Sequence, residues 1–250
     1  MPPPGPIITR LLASLPNALK KTMSVRWVTF DCFGTLVDWH SGFAAILRPI
    51  VGDRTAELLR AYHSFERQIE AERPHKLYAE VLTTALLLAA RKTGASLSES
   101  QARSLPEAWA SLPVFPDVES ELAALRKAGY KLAVLTNCDE ALFEQTAHCF
   151  LESFDAVVTA ERVQDYKPSL SHFRFFSRTS GVDHADWVHV VCSWFHDIAP
   201  ARKFGIYRIW LDRDGTGEDA ATASRRLSSA KGLAEAIAQM HSGQGILFRP

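Results

Sequence analysis

The 250-residue chain is 47% hydrophobic and 22% charged, a balance typical of an ordinary soluble globular protein. Its 28 basic residues balance its 28 acidic residues. The chain therefore has no net positive charge of the kind that would indicate a nucleic-acid or anionic-membrane partner. No run reaches the ~18 apolar residues of a membrane span, and the four cysteines lack the spacing of a zinc site or a disulfide framework. We therefore expect a cytoplasmic protein that binds neither nucleic acid nor a membrane.

Residues 1–23 differ from the rest of the chain, because a proline-rich start is followed by a basic segment without acidic residues. Such a start can be a targeting peptide, but it lacks a solid apolar core with a small-residue cleavage site. An over-extended start codon explains it equally well, since Met23 lies just before the first predicted strand. We treat residues 1–23 as an N-terminal extension outside the chemistry.

A short apolar run at residues 27–30 ends on Asp31, and a turn containing Gly34 follows at once. A buried parallel strand delivers an acid in this way to the C-terminal edge of a sheet, where α/β proteins bind their ligands. The alternative is a core strand followed by an ordinary loop, with Asp31 merely capping what comes next.

The pattern then changes to helical spacing for about seventy residues. Apolar residues recur at this spacing between residues 43 and 69, and again from Pro74, which restarts a helix, to residue 87. Residues 98–101 resemble a further helix start. Four helices without a strand between them predict a helical cap, residues 39–111, inserted after the first strand.

From residue 112 the pattern alternates between strand and helix. Strands are predicted at residues 131–135, 156–158, 188–191 and 206–211, with helices at 118–128, 140–150, 169–181, 198–204 and 233–240. Residues 213–229 are polar and loop-like. The alternation predicts an α/β fold, a Rossmann-like, doubly wound parallel sheet formed by residues 24–38 and 112–250.

Polar residues follow three of the later strands and fall on the same sheet edge as Asp31. They are Thr136, Asn137, Lys167, Ser193 and Asp197. Two carboxylates, an ammonium group, hydroxyls and an amide would therefore converge on one crevice. Lys167 close to Asp31 would keep that acid ionised and nucleophilic.

This ordered set resembles the four motifs of the haloacid dehalogenase-like hydrolase superfamily. The matching positions are Asp31 with Gly34 and Thr35, then Thr136 with Asn137, then Lys167, then Ser193 with Asp197. The helical insert lies where that family has its mobile cap. The resemblance implies a reaction in which the first aspartate attacks the substrate and forms a covalent ester, which water then hydrolyses.

Two positions indicate the branch of the family. Its phosphatases carry a leaving-group acid two residues after the nucleophile and a magnesium-binding aspartate in the fourth motif, where this chain has Phe33 and Cys192. Losing the acid should cost an alkoxide leaving group roughly 10²–10⁴-fold in rate. A thiol is also a poor ligand for magnesium. A halide leaves carbon without a proton, so both changes favour dehalogenation without a metal.

Residues 31–36 and 201–205 resemble the L-2-haloacid dehalogenase branch, but the match is incomplete. That branch usually has tyrosine at the positions of Phe33 and Phe173, and serine and asparagine at those of Cys192 and Trp194. We therefore expect a more aromatic and less polar pocket. The branch's cap arginine aligns with Phe65, and nearby arginines could take its place; these are Arg60, Arg67 and Arg73.

The resemblance, combined with the residues, assigns a role to each position. Asp31 is the predicted nucleophile, Lys167 its partner, and Asp197 the residue that positions water. Asp197 could also cap the helix that follows it. The residues predicted to orient Asp31 or the substrate carboxylate are Thr35, Thr136, Asn137 and Ser193. Trp194 and Phe33 are expected to border the pocket, and His196 is as readily a structural residue as a proton carrier or substrate contact.

The sequence thus predicts a cofactor-independent hydrolase that acts on a small 2-haloacid. Two alternatives stay open. One is a magnesium-dependent phosphatase of a small phosphorylated metabolite, with His196 as its acid, and the other is a catalytically silent binding protein that retains the fold. A homodimer is an expectation carried by the resemblance alone.

Overall fold

The structure is a computed structural model that describes residues 26–216 and 220–242. The predicted N-terminal extension, residues 1–23, lies outside the described residues. Among those described, no helix is both long and apolar enough to cross a membrane.

Six strands of the described residues form one sheet in which every neighbouring pair is parallel. They are β1 (Trp27–Phe30), β2 (Lys131–Thr136), β3 (Ala156–Thr159), β4 (Trp187–Val191), β5 (Tyr207–Leu211) and β6 (Arg225–Leu227). Their order is β3-β2-β1-β4-β5-β6, which confirms the predicted doubly wound fold. Because β1 is central and aligned in register with β2 and β4, the residues that follow these three strands meet at one edge.

The segment between β1 and residue 112 is entirely without strands. Its helices are α1 (Trp39–Val51), α2 (Thr55–Glu70), α3 (Tyr78–Thr93), α4 (Glu99–Ala102) and α5 (Ser104–Glu107), followed by a 3₁₀ turn at Trp109–Ser111. Helices α2 and α3 pack against each other through buried leucine, valine and alanine side chains. Burial of these apolar faces stabilises the pair of helices. The helices α4 and α5 are too short to be stable alone and therefore depend on packing against their neighbours.

The remaining helices cover the two faces of the sheet. They are α6 (Glu119–Lys127), α7 (Glu140–Ala147), α8 (Ala160–Val163), α9 (Ser171–Ser180), α10 (Ala199–Phe204) and α11 (Leu233–His241). The strands β1 and β4 are buried along their whole length, as a parallel sheet covered on both faces requires.

Two helix predictions between residues 74 and 109 are corrected by the structure. The helix expected to restart at Pro74 begins at Tyr78, because the Asp139 carboxylate accepts the amides of Tyr78 and Ala79 at 2.6 and 2.8 Å. The helix that starts after Ser98 is broken into α4 and α5. Proline at position 106 has no N–H to bond with the carbonyl four residues earlier, which interrupts the helix.

The prediction of a loop at residues 213–229 is also wrong in part. Strand β6 lies within it and pairs with β5, and a 3₁₀ turn spans Ala220–Thr222. This strand is only three residues long and contains two arginines, so it shows neither an apolar run nor a regular alternation. The pairing of Arg226 with Asp212 fixes the strand beside the end of β5.

Candidate active site

Asp31 lies directly after β1, and its carboxylate is held at both oxygens. Thr35 donates its hydroxyl to Oδ2 at 2.8 Å, and the Lys167 ammonium donates to Oδ1 at 2.8 Å. The turn that brings Thr35 back to Asp31 contains Gly34 at φ 93°, where an added Cβ would lie 2.7 Å from the Cys192 sulfur. Glycine is therefore required at this position by both conformation and space.

Lys167 is fully buried and uses its three ammonium hydrogens inside the protein. It donates to Asp31 Oδ1 at 2.8 Å, to Asp197 Oδ1 at 2.8 Å and to the Leu135 carbonyl at 2.9 Å. Burial lowers the pKa of Lys167, but the attraction of Asp197 and Asp31 outweighs it and raises that pKa above its ordinary value. The ammonium group is therefore charged, and it joins the two carboxylates.

Thr136 ends β2 and Asn137 follows it; both residues line the same cavity, but their polar groups have protein partners. The Asn137 side-chain oxygen accepts the Lys167 amide at 2.8 Å, and its nitrogen donates to the Lys167 carbonyl at 3.2 Å. The Thr136 hydroxyl donates to Cys138 Sγ at 3.6 Å. The Asn137 side chain thus clamps the backbone of Lys167, and the predicted substrate contacts of both residues stay predictions.

Asp197 lies in a π-helical turn, Trp194–Ile198, that follows β4. Its Oδ1 accepts hydrogen bonds from Lys167 at 2.8 Å and from His189 Nε2 at 3.1 Å. Burial would raise the pKa of Asp197, but Lys167 and His189 hold it well below its ordinary value. The suggestion that Asp197 caps the next helix is wrong: Ser193 precedes the π-helical turn and its hydroxyl accepts the His196 amide at 3.1 Å.

His196 stands next to Ser193 on the wall of the cavity. The Ser193 oxygen lies 3.0 Å from His196 Nδ1, and His196 Nε2 lies 4.0 Å from Glu70. Burial lowers the pKa of His196, so its ring is neutral at neutral pH. Trp194 also lines the cavity and packs against the cluster around Ile198.

Neither of the two positions at which the family's phosphatases carry a leaving-group acid and a magnesium ligand holds a carboxylate here. The Phe33 ring packs on Trp109, with centroids 4.7 Å apart. The Cys192 sulfur lies 3.9 Å from the Phe33 carbonyl, and burial raises the pKa of this thiol, so it stays protonated. Within residues 26–216 and 220–242, no group of three or more His, Cys, Asp or Glu side chains is placed to hold a metal ion. Magnesium does not fit this donor set.

Across the cavity from Asp31, helix α2 presents Glu66, which the sequence patterns did not single out. Its carboxylate accepts the hydroxyls of Tyr62 at 2.8 Å and Tyr78 at 2.6 Å, and lies 3.3 Å from His63 Nδ1. Burial alone would raise the pKa of Glu66, but the bonds from His63 and the two tyrosines lower it. Glu66 is therefore an ionised carboxylate held by neutral hydroxyl donors and His63.

Glu70 lies one helical turn further along α2 and is more deeply buried. Its Oε1 lies 3.5 Å from the Asn137 side-chain nitrogen. Burial, and then the charge of Glu66, raise the pKa of Glu70 well above its ordinary value, which favours the neutral acid. The signal that could have found both residues is two acids four residues apart on the face that also carries Tyr62.

Asp31, the two glutamates and His196 all border one cavity of about 850 Å³. Its aromatic lining consists of Phe33, Trp39, Phe43, Tyr78, Trp109, Phe115, Trp194, Phe195 and Trp210.

The four positions considered for a cap arginine differ in their surroundings. Among them, only Arg67 borders the cavity, with its guanidinium 5.3 Å from the centre of the Phe195 ring. Arg73 pairs with Asp165 at 2.6 Å, Arg60 is exposed, and Phe65 packs among the cap helices.

Comparison with known proteins identifies the family of the chain. The family model described as haloacid dehalogenase-like hydrolase matches residues 25–190. The chain belongs to the haloacid dehalogenase-like hydrolases, which confirms the resemblance drawn from the four motifs, and it is a hydrolase.

Two curated relatives place the chain near one branch of that family. An (S)-2-haloacid dehalogenase of Pseudomonas sp. strain YL is 27% identical over 199 residues, covering 76% of this chain and 84% of that protein. The (S)-2-haloacid dehalogenase 4A of Burkholderia cepacia is 28% identical over 202 residues, covering 77% and 85%.

Solved structures share the fold. A crystal structure of an L-2-haloacid dehalogenase superposes with a TM-score of 0.78 at 23% identity, covering 86% of this chain and 100% of that one. The L-2-haloacid dehalogenase of Xanthobacter autotrophicus with chloropropionic acid covalently bound gives a TM-score of 0.73 at 21% identity, covering 86% and 99%.

Proposed function

We propose that this hydrolase cleaves the carbon–halogen bond of a small 2-haloacid, without a metal, through a covalent ester on Asp31. The observation that carries the proposal is the Asp31 carboxylate, bound by Thr35 and Lys167 at a cavity where Phe33 and Cys192 replace an acid and a metal ligand. The relatives that match are 2-haloacid dehalogenases by name, which supports this reaction.

In the first step, one Asp31 oxygen attacks the carbon that bears the halogen, from the side opposite the leaving group. A carbon–oxygen bond forms, the carbon–halogen bond breaks, and the halide departs with its electron pair. No proton is needed, which is consistent with phenylalanine at position 33. The covalent chloropropionic acid in the Xanthobacter enzyme is the kind of species that this step would produce.

In the second step, water attacks the carbonyl carbon of the Asp31 ester. The new oxygen stays on Asp31, the 2-hydroxy acid leaves with the original Asp31 oxygen, and one proton is released. Asp197 is suited to position this water, because Lys167 and His189 hold its carboxylate in the ionised form. The positive charge of Lys167 would offset the negative charge of Asp31 in the first step and that of Asp197 in both steps.

The substrate carboxylate would be bound by Ser193, Thr136 and Asn137, with Arg67 of helix α2 as the cation. Residues 39–111 would act as the cap, which excludes bulk water from the ester until Asp197 delivers one molecule. A cytoplasmic homodimer is part of the same proposal.

The test is a panel of 2-haloacids and phosphate esters, assayed with added magnesium and with a chelator. We expect halide release from at least one 2-haloacid, at the same rate in both conditions. Phosphate release that requires magnesium would instead support a phosphatase, and the absence of any turnover would support a silent binding protein. Either result would overturn the proposal.

A further inference from the structure

His189 is a fully buried polar residue in the middle of β4, where its neighbours along the strand are valines. Its Nε2 lies 3.1 Å from Asp197 Oδ1, and its Nδ1 lies 2.8 Å from the Thr29 hydroxyl. Thr29 is the residue directly opposite His189 on β1, so the parallel register itself brings the two side chains together. Both positions lie in the central strands that carry the active-site edge.

His189 belongs to a series of hydrogen bonds in which each donor points toward Asp197. The series begins at Trp187 and passes through Thr29 and His189. The Asp197 carboxylate is ionised and can only accept, so we assign the hydrogen to His189 Nε2. His189 Nδ1 is then assigned as the acceptor of the Thr29 hydroxyl. The Thr29 oxygen in turn accepts the Trp187 indole N–H at 2.7 Å, and an indole can only donate. Every polar side-chain atom from the Trp187 indole to Asp197 Oδ1 therefore has a partner.

The imidazole ring is also held by its packing. The Phe173 ring meets it edge-on, with centroids 5.0 Å apart and planes at 87°. Phe173 packs in turn on Trp187, the indole at the far end of the same series. A rotation of His189 would break two hydrogen bonds and collide with this ring, so one orientation of its N–H is enforced.

The consequence for Asp197 lies in how its two oxygens are used. Oδ1 accepts from both Lys167 and His189, whereas Oδ2 is buried and has no hydrogen-bond partner among the described residues. The two donors on one oxygen prevent the carboxylate from turning. Lys167 alone would not do so, because a single donor leaves the carboxylate free to rotate about that hydrogen bond.

We infer that His189 is a positioning residue for the hydrolysis of the Asp31 ester: it fixes the Asp197 carboxylate so that Oδ2 is the oxygen that binds the attacking water. The inference rests on the proposed function and adds a residue that does not touch the substrate. Because Asp197 acts only in the second step, the loss of His189 should slow hydrolysis of the ester and leave its formation nearly unchanged.

The experiment follows halide release and the ester separately, by rapid mixing with a 2-haloacid and by intact mass. In the unaltered protein, halide turnover establishes the proposed function. For His189→Leu we expect a burst of about one halide per active site, a steady-state rate about 10–100-fold lower, and accumulation of the ester. His189→Gln, which keeps an N–H and an acceptor, should recover most of the rate.

His172→Leu is the matched control, because His172 is another fully buried histidine but bonds to the Thr136 carbonyl and not to Asp197. It should leave the ratio of burst to steady-state rate unchanged. If His189→Leu does not fold, Thr29→Val applies the same test, because it removes the hydroxyl that orients the ring. Equal slowing of the burst and the steady state, or ester accumulation in the control alone, would overturn the inference. Absence of halide turnover in the unaltered protein would instead refute the proposed function.

Discussion

The two walls of the cavity handle their buried carboxylates in different ways. At the sheet edge, Asp31 and Asp197 share the ammonium of Lys167 and are paired charge against charge. On helix α2, Glu66 is held by tyrosine hydroxyls and His63, and Glu70 is favoured as a neutral acid. The sheet edge is therefore suited to supply a nucleophile. The wall formed by helix α2, called the helical wall below, limits the negative charge that faces this nucleophile.

The largest effect on activity should come from removing the Asp31 carboxylate at the sheet edge. We expect Asp31→Asn to lower kcat/KM by at least about 10⁴-fold, because an amide oxygen is a very poor nucleophile. Asp38→Asn is the control, since Asp38 borders the same cavity but caps helix α1 through the Ser41 amide, and asparagine caps equally well. Comparable activity in the two variants, measured as halide release, would contradict this role of Asp31.

The next largest effect should be on stability, when the shared ammonium is removed. Lys167→Met leaves Asp31 and Asp197 buried without their cation, and we expect about 3–5 kcal/mol less stability at neutral pH. The deficit should shrink on acidification. In the native protein the lowered pKa of Asp197 contributes stability above the ordinary aspartate pKa, and this contribution is lost as the pH falls.

Urea unfolding of Lys167→Met at neutral and acidic pH measures both parts of that prediction. The control is Lys76→Met, which removes an exposed ion pair with Glu72 and should change stability by less than about 1 kcal/mol. A Lys167→Met deficit that stays constant with pH would show that the loss comes from packing and not from unpaired carboxylates.

Replacing Glu70, the neutral acid of the helical wall, should change stability in the opposite direction. Because the pKa of Glu70 is raised on folding, its favourable contribution is complete below the ordinary glutamate pKa and is lost as the pH rises through the native value. We therefore expect Glu70→Gln to stabilise the protein by about 1 kcal/mol at mildly alkaline pH and by little in acid.

Thermal melts across this pH range, with Glu80→Gln on α3 as an exposed control, measure the Glu70 difference. A Glu70→Gln variant that is less stable at alkaline pH would mean that the acid is ionised and paired, and the contrast between the two walls would fail.

The smallest effect concerns substrate binding at the helical wall. Arg67 borders the cavity, and its loss should raise KM for a 2-haloacid about 3–10-fold with little change in kcat, since an exposed cation contributes modestly. Arg60→Ala is the control, because Arg60 is exposed on the same helix and lies away from the cavity lining. Equal KM values for the two variants would exclude Arg67 as a substrate contact.

The difference between the walls also explains what could be predicted from the sequence. Parallel strands end at one edge, so the polar residues after them had to converge, and Asp31, Lys167 and Asp197 do so within 2.8 Å contacts. The helical wall depends on how α2 is rotated against α3, which periodicity does not determine. Glu66 and Glu70 were therefore missed, although their spacing was visible.

Other differences have similarly local causes. The start of α3 depends on Asp139, which follows β2 and is distant in sequence, so no pattern near Pro74 could place it. The hydrogen bond between His189 and Thr29 follows from strand register, and a lone histidine among valines was the available signal. Strand β6 is paired through its backbone and lacks an apolar pattern.

The most direct test of the central claim is the position of ¹⁸O after a single turnover in labelled water, with the protein in excess over a 2-haloacid. We predict label in the peptide that contains Asp31 and an unlabelled hydroxyl in the product, because water attacks the ester carbonyl and the product takes the original Asp31 oxygen. Label in the product hydroxyl with none at Asp31 would show direct attack by water on the substrate and would contradict a covalent ester.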